Sequence, residues 1–448
     1  MRSLRHSLAG DIMFRVFILR RARCATLILM GLTCPPALQA AADQSISPDS
    51  TRPLSLQQAL RLAESQHPAF TSWQARSREA DAARSAAALR PPPELSFEIE
   101  NVLGTGQLEG VSGATSTLGM TQLIERGDRR RRRMDSADSA AGLLDARSRM
   151  ARLDVRAEVA RRFVHLLSDQ SRLSLTREAS ALAADTLSEV RRRVKAARTP
   201  LAEQARAEVS VERAVLAEEH AEHELNASRR QLAAAMGREQ LGFSHAVGSL
   251  TNLPKVAEFD VLVTHLESAP DALQYAAISR LRESELRMSQ ARRTPDVRIG
   301  AGLRRSEATD DVGLVFSASV PLFGRDQAAS GIDQAQARLE RVESDRDQAM
   351  LRLKAQLYTV YQELQHALIE FEAQRDRVVP KVNQALEQTQ YAYDRGRYSL
   401  LELRDAQSEW LAQRARLIEV AAEYQTHLIE IQRLTGISIP ARNAEAQP

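Results

Sequence analysis

Residues 312–322 read VGLVFSASVPL, and this stretch decides what the chain folds into. Its large apolar residues alternate with mostly small or polar ones, and a period of two predicts a β-strand with one apolar face. The stretch is about as long as the ~9 to 11 residues that a tilted strand needs to cross a bilayer. We therefore expect the apolar face of this strand, with Leu314, Phe316 and Val320, to meet lipid.

Three other segments show the same alternation. The four predicted strands are residues 94–102, 115–124, 296–304 and 311–322. Each consecutive pair is joined by a glycine-rich or polar segment that suits an exposed turn, so the sequence predicts two β-hairpins.

The opposite face of these strands is small or charged, and its charged residues are Glu98, Glu100, Arg298 and Arg304. In a membrane β-barrel this face lines the lumen. Four strands cannot close a barrel, and open edges in lipid leave backbone groups unpaired at several kcal/mol each, so a membranous sheet has to be completed by oligomerisation. The alternative is a water-soluble four-stranded sheet whose apolar face lies on the helices.

The chain contains an internal duplication. Residues 67–93 align with residues 269–295 without a gap. A period of about 200 residues is too long for a solenoid and indicates a duplicated unit of helix, two strands and a helical hairpin. We place the first repeat at residues 43–253 and the second at residues 254–448.

Long helices fill the rest of each repeat. They are predicted at residues 128–197 and 200–237 in the first repeat, and at residues 325–397 and 400–436 in the second. The first would extend ~105 Å, which no compact globule needs. Pro380 interrupts the third helix and predicts a kink there.

The last helix carries a heptad repeat formed by Leu403, Trp410, Leu417, Tyr424 and Ile431. A strict seven-residue repeat predicts left-handed coiling against neighbouring helices. An ordinary helical-bundle core is the alternative.

Residues 1–42 combine an arginine-rich leader, a short apolar stretch and the small residues Ala40 to Ala42, which is typical of an export signal peptide. A membrane anchor is the weaker alternative, because the apolar run is about half of the ~20 residues that a spanning helix needs. Both cysteines, Cys24 and Cys34, lie in this segment, so the mature chain has no disulfide or thiolate metal site. Removal of residues 1–42 leaves 55 basic and 57 acidic residues and changes the formal charge from +3 to −2. A slightly acidic mature chain argues against a nucleic-acid partner.

The sequence contains no Walker loop, GxSxG, HExxH or paired-cysteine motif, so we expect no catalytic residue, no cofactor and no enzymatic activity. His220 and His223 lie one helical turn apart among glutamates, but a solvated helix face is the stronger interpretation, and we predict no metal site. The run from Arg129 to Arg133 follows a predicted strand and either meets lipid phosphates or forms a solvated helix start.

Several segments resemble the TolC-type outer-membrane efflux factors, and the resemblance covers nearly the whole mature chain. These segments are Leu54 to Leu60 followed by His67 and Pro68, Val320 to Gly324, and the closing helix from Ala421 to Gly436. Pro93 to Glu98 and Gln122 to Asp128 are more similar to the heavy-metal-cation, CzcC-like branch than to the branches for drugs or secreted proteins.

The resemblance implies a mostly α fold with a small β part, assembled as a homotrimer in the outer membrane of a Gram-negative bacterium. Each chain would give four strands to a twelve-stranded barrel, which continues as a long α-helical coiled-coil barrel through the periplasm. The implied partners are outer-membrane lipid, a periplasmic adaptor protein and an inner-membrane pump of the RND type. The implied function is a passive exit duct of a tripartite efflux system for heavy-metal cations. The alternatives are the same duct serving drugs or secreted proteins, and a coiled-coil scaffold of the periplasm or cell surface without a pore.

The repeat alignment places two hairpin tips at the end of the helices farthest from the strands. The resemblance assigns adaptor docking to these tips, which comprise Arg198, Thr199, Pro200, Gly396, Arg397, Tyr398 and Ser399. Glu402 and Asp405 follow the second tip on one helix face and match the positions of the family's acidic ring around the periplasmic aperture. The alternative is that both are ordinary exposed acids close to Arg206, Arg397 or Arg404.

Overall fold

Most of the described chain is helical. The computed structural model describes residues 52–239, 242–322 and 324–437, and the predicted signal peptide, residues 1–42, lies outside this part of the chain. In chain order the elements are β1 (Leu54–Ser55), α1 (Leu56–Gln66), α2 (Pro68–Ala88), β2 (Glu94–Glu100), β3 (Thr115–Ile124), α3 (Arg129–Lys195), α4 (Leu201–Ala235), β4 (Ala246–Val247), α5 (Phe259–Leu266), α6 (Pro270–Ala291), β5 (Val297–Ser306), β6 (Asp311–Ser319), α7 (Gly324–Ala373), α8 (Val379–Asp394) and α9 (Leu400–Thr435). Of the helices in the described ranges, none is both long enough and apolar enough to span a membrane.

The four longer strands form one antiparallel sheet in the order β2-β3-β5-β6. Each repeat supplies one hairpin, and the hairpins join through β3 and β5, which pair over their full lengths. β6 ends at Ser319, before the residue 322 that the sequence pattern predicts. Pro321 lies in the lost part and has no N–H to donate to a strand ladder.

The long helices form one layer. The helix α3 has 67 residues and so extends ~100 Å. It packs between α4 and α9, and α9 packs in turn against α7 and α8. Nearer the sheet, α2 and α6 also pack on α3. The helices thus form a wall that runs from the sheet to the hairpin tips.

The heptad positions of α9 are buried in this wall. Leu403, Trp410, Tyr424 and Ile431 are at most 5% exposed, and Leu417 packs partly buried against the main core. This apolar seam holds α9 between its two neighbouring helices, as the seven-residue repeat predicts.

The α7–α8 rod is interrupted by a π-helical turn, Gln374–Val378, which ends two residues before Pro380. Proline has no N–H, and its ring crowds the carbonyl four residues earlier, which here belongs to Asp376. A wider π turn relieves this mismatch. The helix is therefore interrupted where the sequence predicts it.

One face of the α3–α9 pair carries an additional layer of α1, α5 and the short parallel pair β1–β4, which we call the side layer. Gln170 of α3 bonds both backbone groups of Ala246 in β4, at 2.7 and 3.0 Å. Gln425 of α9 donates to the carbonyls of Leu250 and Asn252, at 3.4 and 3.2 Å. These bonds mark the face of the helical wall that the side layer covers.

Both repeats turn an equivalent corner where a helical hairpin ends against the start of another helix. At Gly237, with φ +78°, an added Cβ would lie 2.6 Å from the Cα of His67. At Gly436, with φ +71°, it would lie 3.1 Å from the Cδ of Pro270. The left-handed backbone and the close approach both favour glycine at these corners. The repeat boundary at residues 253 and 254 stays a prediction.

Candidate functional site

One face of the sheet is apolar and open. Ten large apolar side chains share it, each 44% to 77% exposed: Leu95, Phe97, Ile99, Leu118, Met120, Ile299, Leu303, Val312, Leu314 and Phe316. A contiguous exposed apolar surface of this kind marks a contact with membrane or protein. Of the residues predicted to meet lipid, Leu314 and Phe316 lie on this face, and Val320 follows one residue after β6. Among the described residues this face is not packed on the helices, which contradicts the alternative of a sheet lying on them.

The opposite face is polar, and it carries Glu98, Glu100, Arg298 and Arg304, which the sequence predicts to line a lumen. Arg304 pairs with Glu100 at 3.4 Å, and its Nε donates to the hydroxyl of Thr117 at 3.1 Å. Arg298 pairs with Glu94, which sequence reasoning did not assign to this face. The strand alternation that found Glu98 and Glu100 extends to Glu94 and could have found it. The lumen assignment itself stays a prediction.

The sheet has two open edges. Within the described ranges β2 pairs only with β3, and β6 pairs only with β5. Such edges expose unpaired N–H and C=O groups. Both edges are therefore open to pairing with further strands.

The two hairpin tips have the same backbone conformation. Ala197 at the first tip adopts φ +53°, and Gly396 at the second adopts φ +72°. In each turn the N–H of the following residue returns to the carbonyl five residues earlier at 2.9 Å, as in a Schellman motif. The predicted docking residues at 198–200 and 396–399 form these turns, and Tyr398 is 47% exposed.

A small core ties the two tips together. It consists of Leu187, Val190, Ala207, Tyr393, Leu400 and Leu403. The Arg193 guanidinium lies 4.0 Å from the centroid of the Tyr393 ring, a cation–π contact that the sequence did not reveal. Arg193 also donates to Glu189 at 2.8 Å, and this bond holds the pKa of Glu189 below its ordinary value. The two hairpins are thus joined within one chain.

Glu402 has a structural role besides any aperture role. Its carboxylate accepts from the backbone N–H of Ser399 at 2.6 Å, and the Ser399 hydroxyl caps the N–H of Glu402 at 3.4 Å. This capping box begins α9. Asp405 lies exposed three residues further on. Within the described chain neither carboxylate is ion-paired with an arginine.

Members of the arginine run at the start of α3 have structural partners, but Arg130 and Arg131 are exposed, so the two alternatives from the sequence stay predictions. Arg129 pairs with Asp296 at 2.5 Å. Arg133 pairs with Glu125 and donates to the carbonyl of Leu89 at 3.0 Å. These bonds fix the junction between the sheet and the helices.

The histidine pair on α4 is a surface feature. His220 approaches Glu224 at 3.3 Å and its side chain is 75% exposed. Among the residues that the structure describes, no group of three or more histidine, cysteine, aspartate or glutamate side chains could hold a metal ion.

Comparison with known sequences gives consistent matches. The model of the family described as outer membrane efflux protein matches residues 59–238 and 261–437. The cobalt-zinc-cadmium resistance protein CzcC of Cupriavidus metallidurans is 26% identical over 395 residues, which is 87% of this chain and 91% of that protein. The nickel-cobalt-cadmium resistance protein NccC of Alcaligenes xylosoxydans xylosoxydans is 27% identical over 294 residues, 64% of this chain and 65% of that protein.

The fold also matches solved structures. A crystal structure of CusC, described in terms of transmembrane channel formation, superimposes with a TM-score of 0.70 at 14% identity. The match covers 85% of this chain and 91% of that one. At this identity the likeness establishes the fold.

Proposed function

Because the chain belongs to the outer membrane efflux protein family, we propose that this protein is the passive exit duct through which a tripartite efflux system passes heavy-metal cations. The family is one of channels, so the protein is an efflux channel of the outer membrane with its helical part in the periplasm. The resemblance found in the sequence and the mostly helical fold with its small sheet are confirmed. The observation that carries the choice of cargo is the similarity to CzcC, whose name records resistance to cobalt, zinc and cadmium.

A homotrimer is supported by the open sheet. Three copies of the four-stranded sheet would supply twelve strands, and pairing β6 of one chain with β2 of the next removes every open edge. The apolar faces then form an outer belt against lipid, and the polar faces with Glu98, Glu100, Arg298 and Arg304 line the lumen.

The partners follow from the passive nature of the duct. An inner-membrane pump of the RND type supplies the transport energy, and a periplasmic adaptor joins the pump to the duct. We assign adaptor docking to the exposed turns at residues 198–200 and 396–399, at the far end of the helical wall from the sheet.

Glu402 and Asp405 are proposed to form the periplasmic aperture. In a trimer they would make two adjacent rings of carboxylates, a cation-attracting mouth whose field is concentrated by the low-dielectric helices. Glu402→Gln retains the capping box, because glutamine serves at that position too. In planar bilayers the double variant with Asp405→Asn should show lower cation selectivity and weaker block by multivalent cations, with trimer formation intact. Wild-type selectivity and block in a trimeric double variant would exclude these carboxylates from the aperture.

The cargo is tested by deleting the gene in a strain that lacks paralogous channels and restoring it from a plasmid. We expect the deletion to raise sensitivity to zinc, cobalt or cadmium and the plasmid to reverse it. Unchanged metal tolerance with raised sensitivity to drugs or dyes would transfer the duct to drug export. A purified protein that leaves liposomes sealed would instead support the scaffold.

A further inference from the structure

A groove of about 360 Å³ lies between α3 and α9, and both of its walls carry a histidine. His165 comes from α3 and His427 from α9. Within the described ranges neither imidazole has a hydrogen-bond or ionic partner. We call this feature the α3–α9 groove.

The two histidines lie at a similar level of the groove, as the antiparallel register of α3 and α9 shows. Arg161 of α3 meets Glu430 of α9 at 3.1 Å, and further along α3 Glu178 meets Arg414 at 2.7 Å. His165 comes four residues after Arg161, and His427 comes three residues before Glu430. Both side chains therefore lie about one helical turn from the same cross-bridge, at one level of the wall.

The α3–α9 groove opens away from the side layer. On α3, Gln170 faces the side layer, and His165 is five residues away, which is a rotation of about 140° around the helix. On α9, Gln425 faces the side layer, and His427 is two residues away, about 200° around the helix. Both histidines thus point to the uncovered face of the wall. In the proposed duct this is the inner face, since three copies of the side layer inside the ring would obstruct it.

The imidazoles of the groove are more available to bind a metal ion than its carboxylates are. The three acidic residues of the groove are already engaged: Arg416 binds Glu419 at 3.0 Å and Glu423 at 3.1 Å, and Asp169 accepts a hydrogen bond from Ser228. No set of three side chains converges closely enough in the described chain to enclose an ion. Two imidazoles with water in the remaining positions give weak, rapidly exchanging coordination. A conduit needs such binding, because an ion has to leave as readily as it enters.

We propose that His165 and His427 form a contact site for divalent transition-metal cations on the inner wall of the duct, repeated in each chain of the assembly. Imidazole suits Zn²⁺, Ni²⁺ and Cu²⁺, whereas Mg²⁺ prefers oxygen ligands. The site rests on the proposed function for its position in the duct, but its metal preference follows from the two side chains alone.

The test measures block of single channels of the full-length protein in planar bilayers by Zn²⁺ and, separately, by Mg²⁺. We expect the double variant His165→Ala, His427→Ala to require about tenfold or more Zn²⁺ for half-block, since loss of supporting groups alone costs 10- to 100-fold in metal sites. Block by Mg²⁺ should be unchanged. The matched control is His220→Ala with His223→Ala on the exposed face of α4, which should leave block by both ions at the wild-type level.

Wild-type block by Zn²⁺ in the groove variant would overturn the proposal. An equal loss of Zn²⁺ block in the α4 control, or a parallel loss of Mg²⁺ block in the groove variant, would overturn it too, because neither depends on these two imidazoles. Failure of the proposed function has a separate signature. In that case the wild-type protein forms no channel, or the deletion strain keeps its metal tolerance. Both results are obtained without the groove variant.

Discussion

Leu314→Arg is the sharpest test of which face of the sheet meets lipid. Leu314 is 72% exposed near the middle of β6, and its row continues across the sheet through Leu303, Leu118 and Phe97. Arginine at mid-bilayer on a lipid face costs ~2 to 4 kcal/mol, so a trimer with three copies loses roughly 6 to 12 kcal/mol of membrane stability. We expect most of the heat-modifiable trimer to disappear from the outer-membrane fraction.

The matched control for this change is Ser317→Arg, which adds the same side chain to the polar face of the same strand. Its ladder partner is Gly300, so the new guanidinium has no like charge directly opposite. Trimer yield should stay close to wild type. Equal loss of trimer from Leu314→Arg and Ser317→Arg would refute the assignment of the two faces.

Two further predictions concern the helices. Ala197 has a left-handed backbone, so Ala197→Gly should stabilise the first tip by ~1 kcal/mol. Gly396 has the same backbone, so Gly396→Ala should destabilise the second tip by ~1 kcal/mol, although the added Cβ would meet nothing within 4 Å. Trypsin cleavage at the tip arginines should slow about fivefold in the first variant and accelerate in the second, and a shift of both in one direction would contradict this. The bonds from Arg416 lower the pKa of Glu370, so their stabilisation is present above the ordinary glutamate pKa and is lost as the pH falls through the lowered value. The thermal midpoint of the trimer should therefore fall more steeply from pH 5 to pH 3 in wild type than in Glu370→Gln, and equal slopes would show that this pair contributes nothing.

The sequence predicted the elements that depend on local periodicity. The period-two pattern placed Leu314 and Arg304 on opposite faces of the sheet, because alternation along a strand is a local property. Contacts between residues that are distant in the sequence could not be predicted from local periodicity. Arg129 pairs with Asp296, which lies 167 residues away in the chain. For the same reason the sequence does not predict that His165 and His427 share a groove, since it is the packing of α3 on α9 that brings them together.

The capping role of Glu402 shows a second limit. The sequence located this acid at an aperture by resemblance, while the Ser399 and Glu402 spacing also satisfies a capping box. A glutamate at the third position of a helix that follows a serine is explained by helix initiation alone. Of the two proposed aperture acids, only Glu402 has its presence explained by a backbone contact in the part of the chain that the structure describes.

The pairing of β3 with β5 at the centre of the sheet has a consequence for how the protein is made. Arg304 and its partner Thr117 on these strands are 187 residues apart in sequence. The first hairpin leaves the ribosome long before the strand it must join, and loop closure over such a distance is slow. Until the second repeat arrives, β2 and β3 present an apolar ribbon with a free edge, the kind of surface that aggregates. This ribbon therefore stays uncovered until the second repeat has been synthesised and β5 has paired with β3.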